Sequence, residues 1–594
     1  MKRFGVCLSA LLVIAPCGAP AADAPPPFAA VMDAYLADFA TANPVYADAL
    51  GLQAGADRLE DVSITGHDHS IALLRAWRAR FAATERPDDS VDVRADRTAM
   101  LDSLDAQLIE DQLLAPWRTD PALYVNLLGQ SVFIELVREG RPADERFGHI
   151  IARLRGMRAV RDAAIANVQH TTQPAQALAS VQVSGVLQLY QSLNFAAVKQ
   201  GVSPAVREQL AAVVYDAISD VIAVRKFIDG PLKAHATDEP RIGAAAYAKL
   251  FPLVTGVDLT PAELERRARA RIASTRAAML AIARPMYVSM FPKPNAAPGT
   301  STDPQTLFAQ QSTADTDDAR LNEIVRAVLD KIAEQHATPE TLLDQARADV
   351  AENEAFLRST GLIALPDPDT IRVRQTPPIQ GGTAVASMET SGPFDPPTEP
   401  SYFNVDPIPV GWGPTRIASY FRENDDAGIR MLSIHEAVPG HYVQLRANNM
   451  NPSLVRRIFG NGSFIEGWAC FTEGLMIEQG FRPDDSALKL TQLKWRLREA
   501  TNALLDAEYH AGSLTHDQAI RLMVDGAFQE SSEAESKWHR LQLTHVQLAT
   551  YFAGLDAIER ARAASGLDAK TFAARLIAMG AVEPRAIPAL LVAR

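Results

Sequence analysis

Ile434-His435-Glu436-Ala437-Val438-Pro439-Gly440-His441, followed by Phe464-Ile465-Glu466-Gly467-Trp468-Ala469-Cys470-Phe471-Thr472-Glu473, is the stretch on which the chain turns. A zinc hydrolase needs three protein ligands, an open position for water, and a carboxylate beside that water. On this pattern His435, His441 and Glu466 are candidate ligands and Glu436 is the candidate general base. The spacing departs from the usual H-E-x-x-H, in which four residues advance about 400° along a helix and put both imidazoles on one face. Six residues advance about 600°, leaving the second ring about 120° off. Pro439 has no N–H to bond back to His435, and Gly440 can adopt backbone angles closed to other residues. A two-residue bulge would therefore return His441 to the face of His435. The competing reading is that Pro-Gly ends a helix and the histidines are unrelated.

His-Glu-Ala-x-Pro-Gly-His followed by Glu-Gly-Trp-Ala resembles the bacterial family called domain of unknown function 885. The likeness extends to Asn43-Pro44-Val45-Tyr46-Ala47-Asp48-Ala49-Leu50-Gly51 near the start and to Gly243, Tyr247, Leu250, Thr255-Gly256 and Leu259-Thr260-Pro261-Ala262-Glu263-Leu264 in the middle. Near the end, Gln547, Tyr551 and Gly554 match a further element, with His545-Val546 standing where Pro-Gly is common. The resemblance covers nearly all of the mature chain. It implies a mostly α-helical, zincin-like metallopeptidase architecture, with two lobes around a groove, a small β-sheet before the motif helix, and one zinc ion. It favours Glu466 as the third ligand, since its distance from His441 resembles that in other helical zincins. It also favours Tyr551 as the donor to a developing oxyanion, with His510 second.

Residues 1–21 read as a targeting segment: Lys2-Arg3, an apolar run from Phe4 to Ala15, and the small-x-small site Ala19-Pro20-Ala21. Ile14-Ala15-Pro16-Cys17 resembles a lipoprotein attachment box, but proline before the cysteine disfavours it, so a soluble periplasmic product is expected. The apolar run is shorter than the ~20 residues a membrane span needs. Cleavage leaves Cys470 alone, so no intramolecular disulfide can form and stability must come from the core. With 47% hydrophobic residues in 594, that core can be large. The net charge of −13 argues against a nucleic-acid partner.

An N-terminal helical lobe is expected over residues 22–300 and a metal-site lobe over 301–594, divided in the Pro292 to Pro304 loop. Apolar stripes at helical spacing, such as Ile151-Leu154-Met157-Val160 and Leu210-Val213-Val214-Ala217-Val221-Val224, face a core. Thr260-Pro261-Ala262-Glu263 opens a helix that runs to about Arg284. Between 365 and 414 prolines multiply, and Ile371–Arg374, Thr383–Met388 and Ser401–Val405 read as short strands. In zincins such a strand binds extended peptide, and the resemblance implies the same use here. The alternative is an irregular connector carrying a hairpin.

Motif helices are expected over 425–480, with one bulged helix running from Asp425 to Ala447 and Asn461-Gly462 closing the next. Glu466 and Glu473, seven residues apart, lie within about 20° of each other on a helix but about 10 Å apart along its axis. Glu473 therefore reads as a carboxylate orienting a ligand imidazole, or as a solvated helix face. In the C-terminal helices, 485–592, Asp506 stands one turn before His510 and can fix its tautomer. Arg540 is a weaker candidate, as an anchor for a substrate carboxylate, with His545 weaker likewise; Gln547, four residues before Tyr551 on its helix, is a further substrate-binding candidate. The expected protein is an exported zinc hydrolase of short peptides that does not insert into a membrane. The other possibilities are a hydrolase of non-peptide amides or esters and a peptide binder without turnover. The natural substrate, the cleavage mode and the oligomeric state are not written in the sequence.

Overall fold

A computed structural model describes residues 26–138, 140–292, 314–377, 385–409 and 411–593. The targeting segment, Cys17, most of the Pro292 to Pro304 loop, and Thr383-Ala384 of the second strand run lie outside these residues. The described residues are 72% helix, with one three-stranded sheet among them. No described helix is long and apolar enough to cross a membrane.

The apolar stripes build the N-terminal core. Helices Pro121–Val137, Ala143–Asn167, Gln173–Lys199 and Pro204–Phe227 pack on one another. Leu128, Ile151, Leu154, Met157, Tyr190, Val214 and Val221 meet at their centre, removed from water. Val213 sits at the margin of this cluster. The helix opened by Thr260 runs Pro261–Met290, past the expected Arg284, with the Thr260 hydroxyl accepting from the Glu263 amide at 3.2 Å. It packs along Ser486–His510.

Helices on either side of the expected boundary share cores. Tyr247, Leu250 and Leu264 pack with Ala503, Leu504 and Phe552; Met279 and Ala283 pack with Leu490, Leu497 and Phe528. Val31, Tyr35 and Trp77 likewise pack with Val455 and Ile458.

The three strand runs form one sheet: β1 (Ile371–Gln375), β2 (Ala386–Glu389) and β3 (Ser401–Val405), in the order β1-β3-β2. β3 pairs parallel with β1 (Ile371 opposite Ser401) and antiparallel with β2 (Ala386 opposite Val405). All of β3 is buried, whereas β1 and β2 are outer strands and partly exposed. β2 packs against the helices carrying the two motif histidines, Asp426–Glu436 and His441–Asn449.

Two local expectations are corrected. The motif is not one bulged helix: Asp426–Glu436 ends, Ala437–Gly440 turn, and His441 begins a new helix, because Gly440 leaves helical angles (ψ −126) and Pro439 offers no N–H. Asn461-Gly462 does not close a helix but opens one, since the Asn461 side chain accepts from the amides of Ser463 at 2.9 Å and Phe464 at 3.2 Å.

Candidate metal centre

The first motif helix is fixed at its start by Asp425, whose carboxylate accepts from the Gly428 amide at 2.8 Å. At its end the Ala437 and Val438 amides both reach the Ser433 carbonyl, and the Gly440 amide returns to the Ile434 carbonyl at 2.9 Å. The turn is so tight that a Cβ on Gly440 would lie 1.8 Å from the His435 carbonyl oxygen. Trp468 of the helix Gly462–Glu478 holds the turn from below, its indole N–H donating to the Pro439 carbonyl at 3.0 Å and the Gly440 carbonyl at 3.3 Å. Pro-Gly thus ends the helix, and the histidines converge all the same. Their ring centroids are 4.8 Å apart, with planes at 86°.

The next helix brings two carboxylates to these rings. Glu466 Oε2 lies 3.6 Å from His435 Nε2 and 3.4 Å from His441 Nε2, while being buried without a hydrogen-bond partner. Glu473, one of the most buried carboxylates of the chain, accepts from His435 Nδ1 at 2.7 Å. The two glutamates therefore face opposite nitrogens of one imidazole: with Nδ1 turned to Glu473, Nε2 is the nitrogen left to face Glu466. Burial drives the His435 pKa down, but Glu466 and Glu473 outweigh it and hold it well above the usual value. Burial raises Glu466, yet the imidazoles of His435 and His441 hold it well below the carboxylate range. The negative field that draws a proton to this point would equally favour a cation; His435, His441 and Glu466 could hold one, and the ligand atoms of His435, Glu436 and His441 also lie within 4.8 Å of one another. Glu436 is half-buried beside them, with a carboxylate oxygen within 4.8 Å of a ring nitrogen of each histidine. Burial pushes its pKa up, against the opposing charges of His441 and His435.

The helix Gln547–Ser565 reaches this cluster through a crossing of glycines. A Cβ on Gly467 would meet Gly554 Cα at 2.7 Å, and one on Gly554 would meet the Ser463 carbonyl oxygen at 1.7 Å. One turn before Gly554, the Tyr551 ring stacks on His435 with centroids 6.4 Å apart. Its hydroxyl accepts from Arg540 at 2.9 Å, and Arg540 also donates to Gln547 Oε1 at 2.8 Å. Burial, with Glu466 nearby, pushes the Tyr551 hydroxyl up to about 12, so it stays protonated and its hydrogen is available to an acceptor.

Three sequence candidates lie elsewhere. His510 is fully buried against Tyr247 and Tyr509, and its Nε2 is bonded to the Thr544 carbonyl at 2.7 Å. Trp495, whose ring is 5.9 Å from His435, stands fifteen residues earlier on the same helix, a rise of about 22 Å, so His510 lies far from the histidine pair. Asp506 is 3.8 Å from His510 but spends its oxygens on the amides of Val546 at 3.1 Å and Ala549 at 2.8 Å. It holds the start of the Tyr551 helix, where Val546 takes a left-handed conformation (φ 63) at the position where glycine is common. His545 faces Glu110 at 3.4 Å.

Four residues near the centre carry no motif that announces them. Trp495, Arg498 and Glu499 come from one face of the helix Ser486–His510, and Lys537 from the helix Ser531–Leu543. Burial, with Glu473 adjacent, raises the Glu499 pKa well above the carboxylate range, and burial does the same to the Cys470 thiol beside it. Cys470 is a packed, inert thiol. The i, i+3, i+4 spacing of 495, 498 and 499 was the only available signal, and it is shared by every amphipathic helix.

Fold and site define a helical protein with a buried cluster of two histidines and two glutamates at a helix-breaking turn. The chain belongs to the family described as bacterial protein of unknown function (DUF885), whose profile matches residues 44–590. A presumed lipoprotein of unknown function from Shewanella oneidensis has the same fold: TM-score 0.75, 26% identity, 96% of this chain and 100% of that one covered. A presumed lipoprotein from Colwellia psychrerythraea, 16% identical, superposes with TM-score 0.69 over 95% of this chain and 98% of that one. A search of curated proteins finds no match.

Proposed function

We propose that the protein is an exported zinc-dependent hydrolase, a metallopeptidase acting on short peptides in a groove between two lobes. The observation that carries this reading is the convergence of His435 Nε2 and His441 Nε2 on Glu466 Oε2 at 3.6 and 3.4 Å. Nitrogen and oxygen donors about 2.0–2.1 Å from a tetrahedral zinc stand roughly 3.3 Å from one another, so the spacing suits that ion. The orphaned Glu466 oxygen and the Glu473 carboxylate on His435 Nδ1 suit it equally. Bound there, the metal would supply Lewis acidity and a water of lowered pKa.

The chain's own groups divide the remaining work of amide hydrolysis. Glu436 takes the proton of the attacking water and gives it to the leaving amine as the C–N bond breaks. Tyr551 donates to the carbonyl oxygen as it gains negative charge, its own oxygen being held by Arg540. β2, paired on one side with β3 and packed on the motif helices, would receive an extended peptide.

The deciding experiment is metal analysis and hydrolysis assays on wild type and Glu436→Gln. Both should contain stoichiometric zinc, and the variant should lose turnover while binding peptide within a few fold of wild type. If both bind zinc and peptide and neither hydrolyses any amide or ester, the protein is a binder. If wild type cleaves esters or non-peptide amides alone, the substrate class changes and the mechanism stands. Export rests on the targeting segment and on the two presumed lipoproteins of like fold. Their description favours lipid attachment at Cys17 over a soluble periplasmic form, and the mass of the mature N-terminus separates the two.

A further inference from the structure

Arg540, bonded to Tyr551, and Lys537, one turn before it on the same helix, stand in no salt bridge among the described residues, although Glu533 acts on both at longer range. Arg540 makes both of its hydrogen bonds from one terminal nitrogen, Nη2, and both acceptors, Gln547 Oε1 and Tyr551 Oη, are neutral. Its Nη1 and Nε have no acceptor among the described residues, and the side chain is only half-buried. Lys537, one helical turn earlier, is 4% exposed, and its Nζ has no hydrogen-bond partner among the described residues. The acidic groups of this region are engaged by other bases. Glu533 faces Arg498 at 3.1 Å, Glu423 faces Lys494 at 3.0 Å, and Glu530 accepts from Arg422 at 2.7 Å.

An unpaired buried ammonium is costly, and the cost appears in Lys537 itself: burial, with Arg498 adding repulsion, drives its pKa well below the usual lysine value. Such a pair of cations beside a candidate active site is completed by an anion. A carboxylate fits best, since a guanidinium with two unused N–H directions matches its two oxygens.

The position limits which carboxylate it is. The Arg540 guanidinium carbon is 5.7 Å from the Tyr551 ring centroid, and that ring is 6.4 Å from His435. The guanidinium therefore lies within about 12 Å of the imidazole, a span of three extended residues or fewer at about 3.4 Å each.

We propose that Arg540 and Lys537 bind the terminal carboxylate of a peptide, making this a site for removal of one to three residues from carboxyl termini. This rests on the peptidase reading above. The test compares three N-blocked pentapeptides of one sequence: the free acid, its C-terminal amide, and an amide ending in glutamate. Affinity is measured on zinc-loaded Glu436→Gln by calorimetry, and kcat/KM and product masses on wild type. The free acid should bind about 10- to 100-fold more tightly than either amide, the value of one or two charge-assisted hydrogen bonds. Lys537→Met should remove most of the preference for the free acid over the amide. Equal binding of acid and amide overturns the proposal, as does internal cleavage at equal rates. Binding of the glutamate-ended amide as tightly as the free acid overturns the terminal assignment in favour of an acidic side chain. Preferential binding of the acid without cleavage of any peptide leaves the carboxylate site standing and sinks the peptidase reading instead.

Discussion

His435 is addressed at both ring nitrogens, by Glu473 at Nδ1 and by Glu466 across the Nε2 face, so the two carboxylates make different predictions. Removing a direct ligand should abolish binding, whereas removing the carboxylate that orients one should weaken it. His435→Ala, His441→Ala and Glu466→Ala should each be isolated without zinc, and Glu473→Ala should bind it roughly 10- to 100-fold more weakly. Atomic absorption on dialysed protein and competition with a chelator measure both. Zinc lost from Glu473→Ala but kept in Glu466→Ala would reverse the roles assigned here. The residue types were legible in the sequence, because His-Glu…His and a downstream glutamate are few enough to be noticed. The division of labour between Glu466 and Glu473 was legible only through the family resemblance, which favoured Glu466 as ligand and left Glu473 either orienting an imidazole or facing solvent; helical phase alone places both on one face.

At the scale of elements, the site is made by two close approaches that only glycine permits. Gly440 lets the chain turn under His435, and the Gly467–Gly554 contact lets the Tyr551 helix lie against the Glu466 helix. Gly554→Ala would push a methyl group into the Ser463 carbonyl, so the helices must separate. Overpacking of this kind costs about 1–3 kcal/mol. Tyr551 would move away from His435 with its helix. Denaturation midpoint and turnover should therefore fall together, with zinc content kept, because no ligand lies on the Tyr551 helix. A Gly554→Ala protein as stable and as active as wild type would mean that the crossing has slack. Helix starts such as Thr260 and Asp425 and all three strands were readable, since caps and alternation are local signals. The break at Ala437–Gly440 was readable as an irregularity but not in its form. A bulge and a full stop satisfy the same Pro-Gly pair, and the choice is made by Trp468, which donates to the turn from another helix. Arg498, Glu499 and Lys537 were hidden for a related reason: each sits in an ordinary amphipathic helix, and only the packing of that helix aims it at the centre. His510 is the converse case, a plausible pair with Asp506 by spacing that packing places in a different core.

Across the whole molecule, several carboxyls are buried far from the centre with their pKa values raised. Asp349 and Asp425 are pushed up to about 6 and Asp506 to about 7, in each case by burial, against Arg430, Lys494 and backbone amides respectively. In the unfolded chain these groups titrate near 3.9, so between about pH 4 and pH 7 the folded state binds more protons than the unfolded one. The stability they lend is complete below about pH 4 and is lost as pH rises through 6 to 7. Asp48 opposes this on the acid side. Burial raises it, but Arg153 and Arg141 hold it below its usual value, so its contribution is kept above pH 4 and lost on acidification. The denaturation midpoint should therefore peak near pH 4 and decline toward pH 8. Asp506 is the group to isolate, because burial carries its carboxyl furthest of the three, to about 7, which is worth a few kcal/mol. Asp506→Asn should be less stable at pH 5, since one amide oxygen replaces two acceptors for the Val546 and Ala549 N–H groups. It should nevertheless lose less than wild type between pH 5 and pH 8, because the ionisation is gone. Urea denaturation of both proteins at the two pH values measures the difference, and an Asn variant with the wild-type slope would place the titrating groups elsewhere.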